Sequence, residues 1–169
     1  LDELVPWLEK RVDVIGLDLD KSQDLHTCEV DCILVLGGDG TLLNTAHRLR
    51  GRQVPVMGVN YGRLGFLASF TPADLVRYFD ALVAGQLPVS SRSMLEVCIV
   101  PADNRARLET LEAIRQASRF HTTALNDAVI AAGAPFRMIE VELAIDSTHG
   151  VRYFGDGMIF ATASGSTAY

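Results

Sequence analysis

Several features that would take this chain out of the ordinary globular class are scarce in it. Cysteine occurs only at Cys28, Cys32 and Cys98. An odd number at no zinc-ligand spacing argues against a disulfide framework and for free thiols in a reducing compartment, with the cytoplasm as the default. Positive charge does not dominate either: 15 Lys and Arg against 21 Asp and Glu leave a formal charge of -6. A nonspecific nucleic-acid binder needs a basic face to displace counterions, so nucleic acid is not an expected partner. No apolar run approaches the ~20 residues that span a bilayer. Residues 1–10 lack a signal-peptide pattern, so no membrane association is expected. His26, His47, His121 and His149 are scattered outside any motif, and no metal or acid–base role is expected of them.

What is present is a well-patterned globular sequence of 169 residues, 49% hydrophobic and 21% charged. Asp31-Cys-Ile-Leu-Val-Leu36 is a short apolar run closed by two glycines, which predicts a buried parallel strand ending in a functional turn. Thr41 to Arg50 carries Leu42, Leu43, Ala46 and Leu49 at helical spacing, with Gly51 as a stop. Val54 to Val59 is the next strand, and a glycine-punctuated loop follows from Asn60 to Gly65. Thr71-Pro72-Ala-Asp74 marks a helix start, with Leu75, Phe79, Leu82 and Val83 as its apolar stripe up to Gly85. Val12 to Ile15 is expected to form a preceding strand. This alternation predicts an α/β fold over residues 1–87, a Rossmann-like doubly wound domain.

Beyond Leu87 the pattern changes to strand-like runs at Met94–Val100, Ala124–Ala131, Met138–Ile145 and Met158–Ala161, with a short surface helix somewhere in 103–120. Residues 88–169 are therefore expected to form an incomplete all-β domain, a β-sandwich lacking its last strands. The chain opens without a methionine and closes inside a glycine-rich motif, so truncation at both ends is the expectation.

The chemistry concentrates in two stretches. Asp39 stands between Gly38 and Gly40 at the carboxyl end of a predicted parallel strand, where open α/β sheets bind their ligands. Flanking glycines leave room for a sugar hydroxyl to reach the carboxylate, which could serve as a general base. Amides of Gly37, Gly38 and Gly40 could meet phosphate oxygens, with Thr41 beside them. The turn is neither GxxxxGK[ST] nor GxGxxG, since no lysine follows; a kinase built on it would need magnesium arriving with the nucleotide. The alternative is an Asp that merely bonds its own turn. Asn60 and Arg63 in the following loop are further binding candidates, Arg63 for phosphate. Asn126-Asp127 interrupts an apolar strand, which a bulge, an edge position or a ribose contact would explain. Thr162, Ser164, Ser166 and Thr167 place four hydroxyls beside a hydrophobic strand, where they need partners that a ligand would supply.

Taken in order and spacing, Gly37-Gly-Asp-Gly-Thr41, the Gly58 to Leu67 block, Ala124-Leu-Asn-Asp-Ala-Val-Ile130 and Gly155-Asp-Gly to Gly165-Ser-Thr-Ala-Tyr169 resemble the NAD kinase family over residues 31–169. The resemblance implies phosphoryl transfer from ATP or polyphosphate to the 2′-hydroxyl of the adenosine ribose of NAD, giving NADP, with Mg2+ or another divalent cation and a homo-oligomeric protein, dimer or tetramer. By the same resemblance Asp39 is the catalytic aspartate, and Asn126 with Asp127 holds the NAD ribose and nicotinamide end. Phe66 and Leu67 contact the adenine or its ribose, as do Thr167, Ala168 and Tyr169. Ser164 is a ligand contact, and Asp156 is a carboxylate that can act on a neighbouring subunit's ligand. Thr162-Ala163-Ser164 departs from the family's usual Thr-Pro-Thr, which should loosen that turn. The alternatives are a lipid kinase of the diacylglycerol or sphingosine type, which shares GGDGT, and a noncatalytic nucleotide-binding module.

Overall fold

A computed structural model describes residues 2–62, 65–103, 110–135, 137–146 and 150–167. They fall into two compact units, Leu1–Ser91 and Arg92–Tyr169.

The first unit is α/β. Strands β1 (Ile33–Leu36) and β2 (Val56–Val59) pair in parallel, Ile33 opposite Val56 through Leu36 opposite Val59. Helix α2 (Asp39–Leu49) makes the crossover that parallel pairing requires. Helix α3 (Pro72–Val83) starts as its sequence demands. Thr71 Oγ1 accepts from the Asp74 amide at 3.2 Å, the Asp74 carboxylate accepts from the Thr71 amide at 2.9 Å, and Pro72 occupies the first turn, where its missing N–H is no loss. Leu75 and Phe79 on its inner face join Met57, Val59 and Leu8 in the core; Trp7 of the short helix α1 (Leu4–Glu9) packs edge-on to Phe79 at 4.6 Å. Each such buried side chain contributes about 1.5–3 kcal/mol. Among the described residues no helix is long and apolar enough to cross a membrane.

Two expectations are corrected here. Val12 to Ile15 is not a strand: Val12 and Val14 pack on the core as alternation requires, but the segment joins no ladder and Ile15 is 67% exposed. Helix α2 begins at Asp39 and not Thr41, because Gly38 takes the extended N-cap geometry and an acid in the first turn suits the positive end of the helix. At its other end Arg50 itself adopts the left-handed conformation, φ 51°, ahead of Gly51.

The second unit is built from antiparallel ribbons. Strands β3 (Leu95–Ile99) and β4 (Phe120–Ala124) pair with each other, helix α4 (Leu111–Ala117) intervening in sequence with Thr110 as its cap. Strand β5 (Asp127–Ala131) pairs with β8 (Gly157–Ala161), and β6 (Ile139–Leu143) with β7 (Val151–Gly155). On β6 Ile139, Val141 and Leu143 are half-buried while Glu140 and Glu142 face solvent near Arg152. The run Ala124–Ala131 is not one strand. It breaks at Leu125-Asn126, where the chain leaves β3 as a partner and takes up β8, so a change of pairing strand, not a bulge, interrupts the run; among the described residues β5 pairs with β8 alone, which leaves Asp127 on an edge strand.

Candidate active site

In the first unit the glycine turn lies at the carboxyl end of β1. The Gly37 amide donates to Val59 O at 2.9 Å and so belongs to the sheet; it is not one of the amides turned toward a ligand, as the residue pattern had led us to expect. A Cβ at Gly38 or Gly40 would meet nothing within 4 Å, so these two line open space, beside the exposed Thr41.

Asp39, the first residue of α2, is the centre of the arrangement. Its Oδ2 accepts from the Phe66 amide at 2.9 Å, and its Oδ1 from Leu67 at 3.1 Å and Ala68 at 2.8 Å. Partial burial pushes the carboxyl up, but the amides of Ala68, Phe66 and Leu67 together outweigh it and hold the group below the ordinary Asp value. The segment that supplies these amides is anchored to β2: Asn60 N donates to Phe70 O at 2.8 Å, Phe70 N to Gly58 O at 3.2 Å, and Ala68 is fully buried. Gly58 permits that approach, since a Cβ there would stand 2.7 Å from Leu42 Cδ1 and 3.0 Å from Ala68 Cα. Asn60 is buried and its Oδ1 accepts from the Gly62 amide at 2.9 Å, an Asx turn that starts the loop. Phe66 projects into solvent, 65% exposed, and Leu67 is half-buried. The structure thus brings Gly38, Asp39, Gly40, Asn60, Phe66 and Leu67 into one neighbourhood. Arg63 lies outside the described residues.

A second cluster forms where β4 passes into β5. Thr162, 6% exposed, donates its hydroxyl to Leu125 O at 2.7 Å and accepts from the Gly165 amide at 3.1 Å, while its own amide donates to Asn126 O at 2.7 Å. Gly165 is required there: a Cβ would lie 2.7 Å from Asn126 Cα. Ser166 N returns to Thr162 O at 2.9 Å, so the turn through Ala163 is closed by its threonine although it lacks proline. Ser164 Oγ accepts from Arg92 at 2.9 Å, and the Ser166 and Thr167 hydroxyls donate to Ala163 O and Ser164 O. All four hydroxyls therefore have at least one partner within the protein, so a ligand is not required to satisfy them. The atom that does wait is Asn126 Oδ1, buried with no hydrogen-bond partner. Asp127 follows it directly. Asp156 is not part of this cluster: it follows β7 at the far end of the β5–β8 ladder, five residue pairs from Asp127. Ala168 and Tyr169 lie outside the described residues.

Residue-level reading missed Gly65, the Ala68 amide, Arg92 and the structural duty of Thr162. Only Gly65 had a visible signal, its place in a Gly-Arg-Leu-Gly-Phe loop next to a candidate residue.

Comparison with known proteins gives a consistent picture. Residues 9–87 match the ATP-NAD kinase N-terminal domain family. The chain is 38% identical to an NAD kinase of Syntrophotalea carbinolica across 99% of its own length and 58% of the relative. For NAD kinases of Rhodopirellula baltica and an Azoarcus species the figures are 35% over 98% and 49%, and 42% over 98% and 53%. It spans about half the length of these relatives. Among solved structures, yeast NADH kinase complexed with NADH superposes with a TM-score of 0.68 at 29% identity, over 83% of this chain and 38% of that one. Along nearly its whole length, and in this common architecture, the chain is similar to members of the NAD kinase family.

Proposed function

We propose that the protein carrying this chain transfers a phosphoryl group from ATP, or polyphosphate, to the 2′-hydroxyl of the adenosine ribose of NAD, forming NADP. The observation that carries the reading is Asp39, ionised in an open glycine turn at the carboxyl end of a parallel strand. A carboxylate offers about four lone-pair sites, and three are taken by amides, which leaves one on Oδ2 for a hydroxyl. A carboxylate so stabilised is a weak base, and the geometry favours orienting the attacking hydroxyl over removing its proton early. Phosphoryl transfer through a loose transition state asks chiefly for such positioning.

Magnesium supplies charge neutralisation on the donor phosphates in reactions of this class. The glycine turn offers a magnesium ion only the one lone pair of Asp39 Oδ2 that the hydroxyl would use, too little for a protein-held site; the cation would arrive on the nucleotide. In the second unit the orphaned Asn126 Oδ1 and the adjoining Asp127 suit the hydroxyls of a ribose. Phe66, Leu67, Ser164, Thr167, Ala168 and Tyr169 complete the proposed NAD contacts, with Arg63 on phosphate and Asp156 reaching a neighbouring subunit. The finer layout belongs to the same proposal: a Rossmann-like domain over 1–87, a β-sandwich domain from 88 onward, and a homo-oligomer. Cytoplasmic location rests on the three free thiols.

The test is NADP formation by the whole protein. Asp39→Asn should lower the rate at least ~100-fold. An undiminished rate in that variant would remove Asp39 from the mechanism, and absence of NADP formation in the unaltered protein would overturn the reading.

A further inference from the structure

Away from both clusters, the β3–β4 ribbon gathers a carboxylate, a thiol and an imidazole. Glu96 and Cys98 are two apart on β3 and share a face, and His121 on β4 is the direct cross-strand partner of Cys98. One ligand atom from each lies within 4.8 Å of the others, and His121 Nε2 stands 2.8 Å from Glu96 Oε1. The ladder holds opposite Cβ atoms about 5 Å apart, so the backbone fixes the roots of the three side chains and only rotamers remain to adjust.

We propose that Glu96, Cys98 and His121 bind a divalent transition cation of the zinc type, with the fourth position open to water. Thiolate, imidazole and carboxylate together suit zinc, whereas magnesium and calcium require oxygen ligands. Bonds of about 2.0–2.3 Å around a tetrahedron put donor atoms roughly 3.2–3.8 Å apart, within reach of small side-chain rotations from the separations present. The cation takes the place of the proton between His121 Nε2 and Glu96 Oε1, and the Cys98 proton passes to solvent. Entry is unobstructed, since Glu96 and His121 are exposed and Cys98 partly so. Arg115 is the competitor: its Nε and Nη2 donate to Glu96 Oε1 at 2.5 Å and Oε2 at 2.9 Å. Glu112, 3.8 Å from Arg115, gives the guanidinium a second carboxylate to turn to. The site is independent of the kinase reading and lies wholly within the second unit.

The experiment titrates the whole chain with Co2+ as a spectroscopic stand-in, followed by displacement with Zn2+. One cobalt per chain is expected, with a near-ultraviolet thiolate-to-cobalt charge-transfer band. Cys98→Ser should abolish the band, and His121→Ala should weaken binding by about tenfold or more, the scale on which even outer partners of metal ligands act. Arg115→Gln should tighten binding, an effect that misfolding cannot imitate. No saturable binding at submillimolar Co2+ or Zn2+, a band that survives Cys98→Ser, or weaker binding in Arg115→Gln would each overturn the proposal.

Discussion

Gly65 faces the Asp39 carboxylate so closely that a methyl group on it would stand 2.6 Å from Asp39 Cγ. Gly65→Ala must therefore displace either the carboxylate or the segment whose amides bind it. A loss of about 1–3 kcal/mol is expected, the range for forcing a methyl into filled space. Urea unfolding measures it, with Gly38→Ala as the control, because nothing stands within 4 Å of a Cβ there. Equal stability of the two variants would show that the Asp39–Gly65 approach is slack.

The amides on Asp39 also dictate a pH dependence. Its carboxyl is held below the ordinary Asp value in the folded protein, so the stabilisation is fully present above that ordinary value, about 3.9, and fades as pH falls through the lower folded value. The stability difference between the unaltered chain and Asp39→Asn should be constant near neutrality and shrink below about pH 4. A difference that grows on acidification would contradict the bonding described.

Thr162 joins segments far apart in sequence through one hydroxyl, bonded to Leu125 O and Gly165 N. Thr162→Val keeps the shape and strands both buried partners, with an expected loss of about 1–3 kcal/mol. Thr162→Ser should lose less, since the hydroxyl survives. Thermal unfolding of the pair decides the matter, and indistinguishable melting would refute the hydroxyl's role.

The β5–β8 ribbon exposes Val129 at 55%, Ile130 at 47%, Ile159 at 48% and Phe160 at 36%. Apolar side chains so grouped favour association. The chain produced by itself is expected to scatter light in a concentration-dependent way. A stable monomer at high concentration would contradict this.

The β1-α2-β2-α3 order was legible because its signals are local: apolar runs ended by glycine, and a Thr-Pro-Ala-Asp helix start. The family could be read from four short blocks. The partners of Asp39 could not, because the amides of residues 66–68 are 27–29 positions away and amides carry no residue-specific mark. Nor could the break at Asn126, since Ala124 to Ala131 stays apolar on either side of it while the pairing strand changes. The four hydroxyls near the chain's end pointed to a ligand because their partners, backbone carbonyls for three and the Arg92 side chain for Ser164, carry no mark in the local sequence.

Between β7 and β8 lies a single residue, Asp156, yet the two strands pair with different neighbours, β6 and β5. The β6–β7 pairing closes over residues 144–150, whereas β5–β8 spans 132–156 and contains the other hairpin inside it. Closing the longer span from an open chain costs more entropy. Once the inner hairpin has zipped, the free length falls and β8 is delivered almost in register to β5. Chain-closure entropy therefore favours the inner β6–β7 pairing as the platform on which β5 and β8 meet.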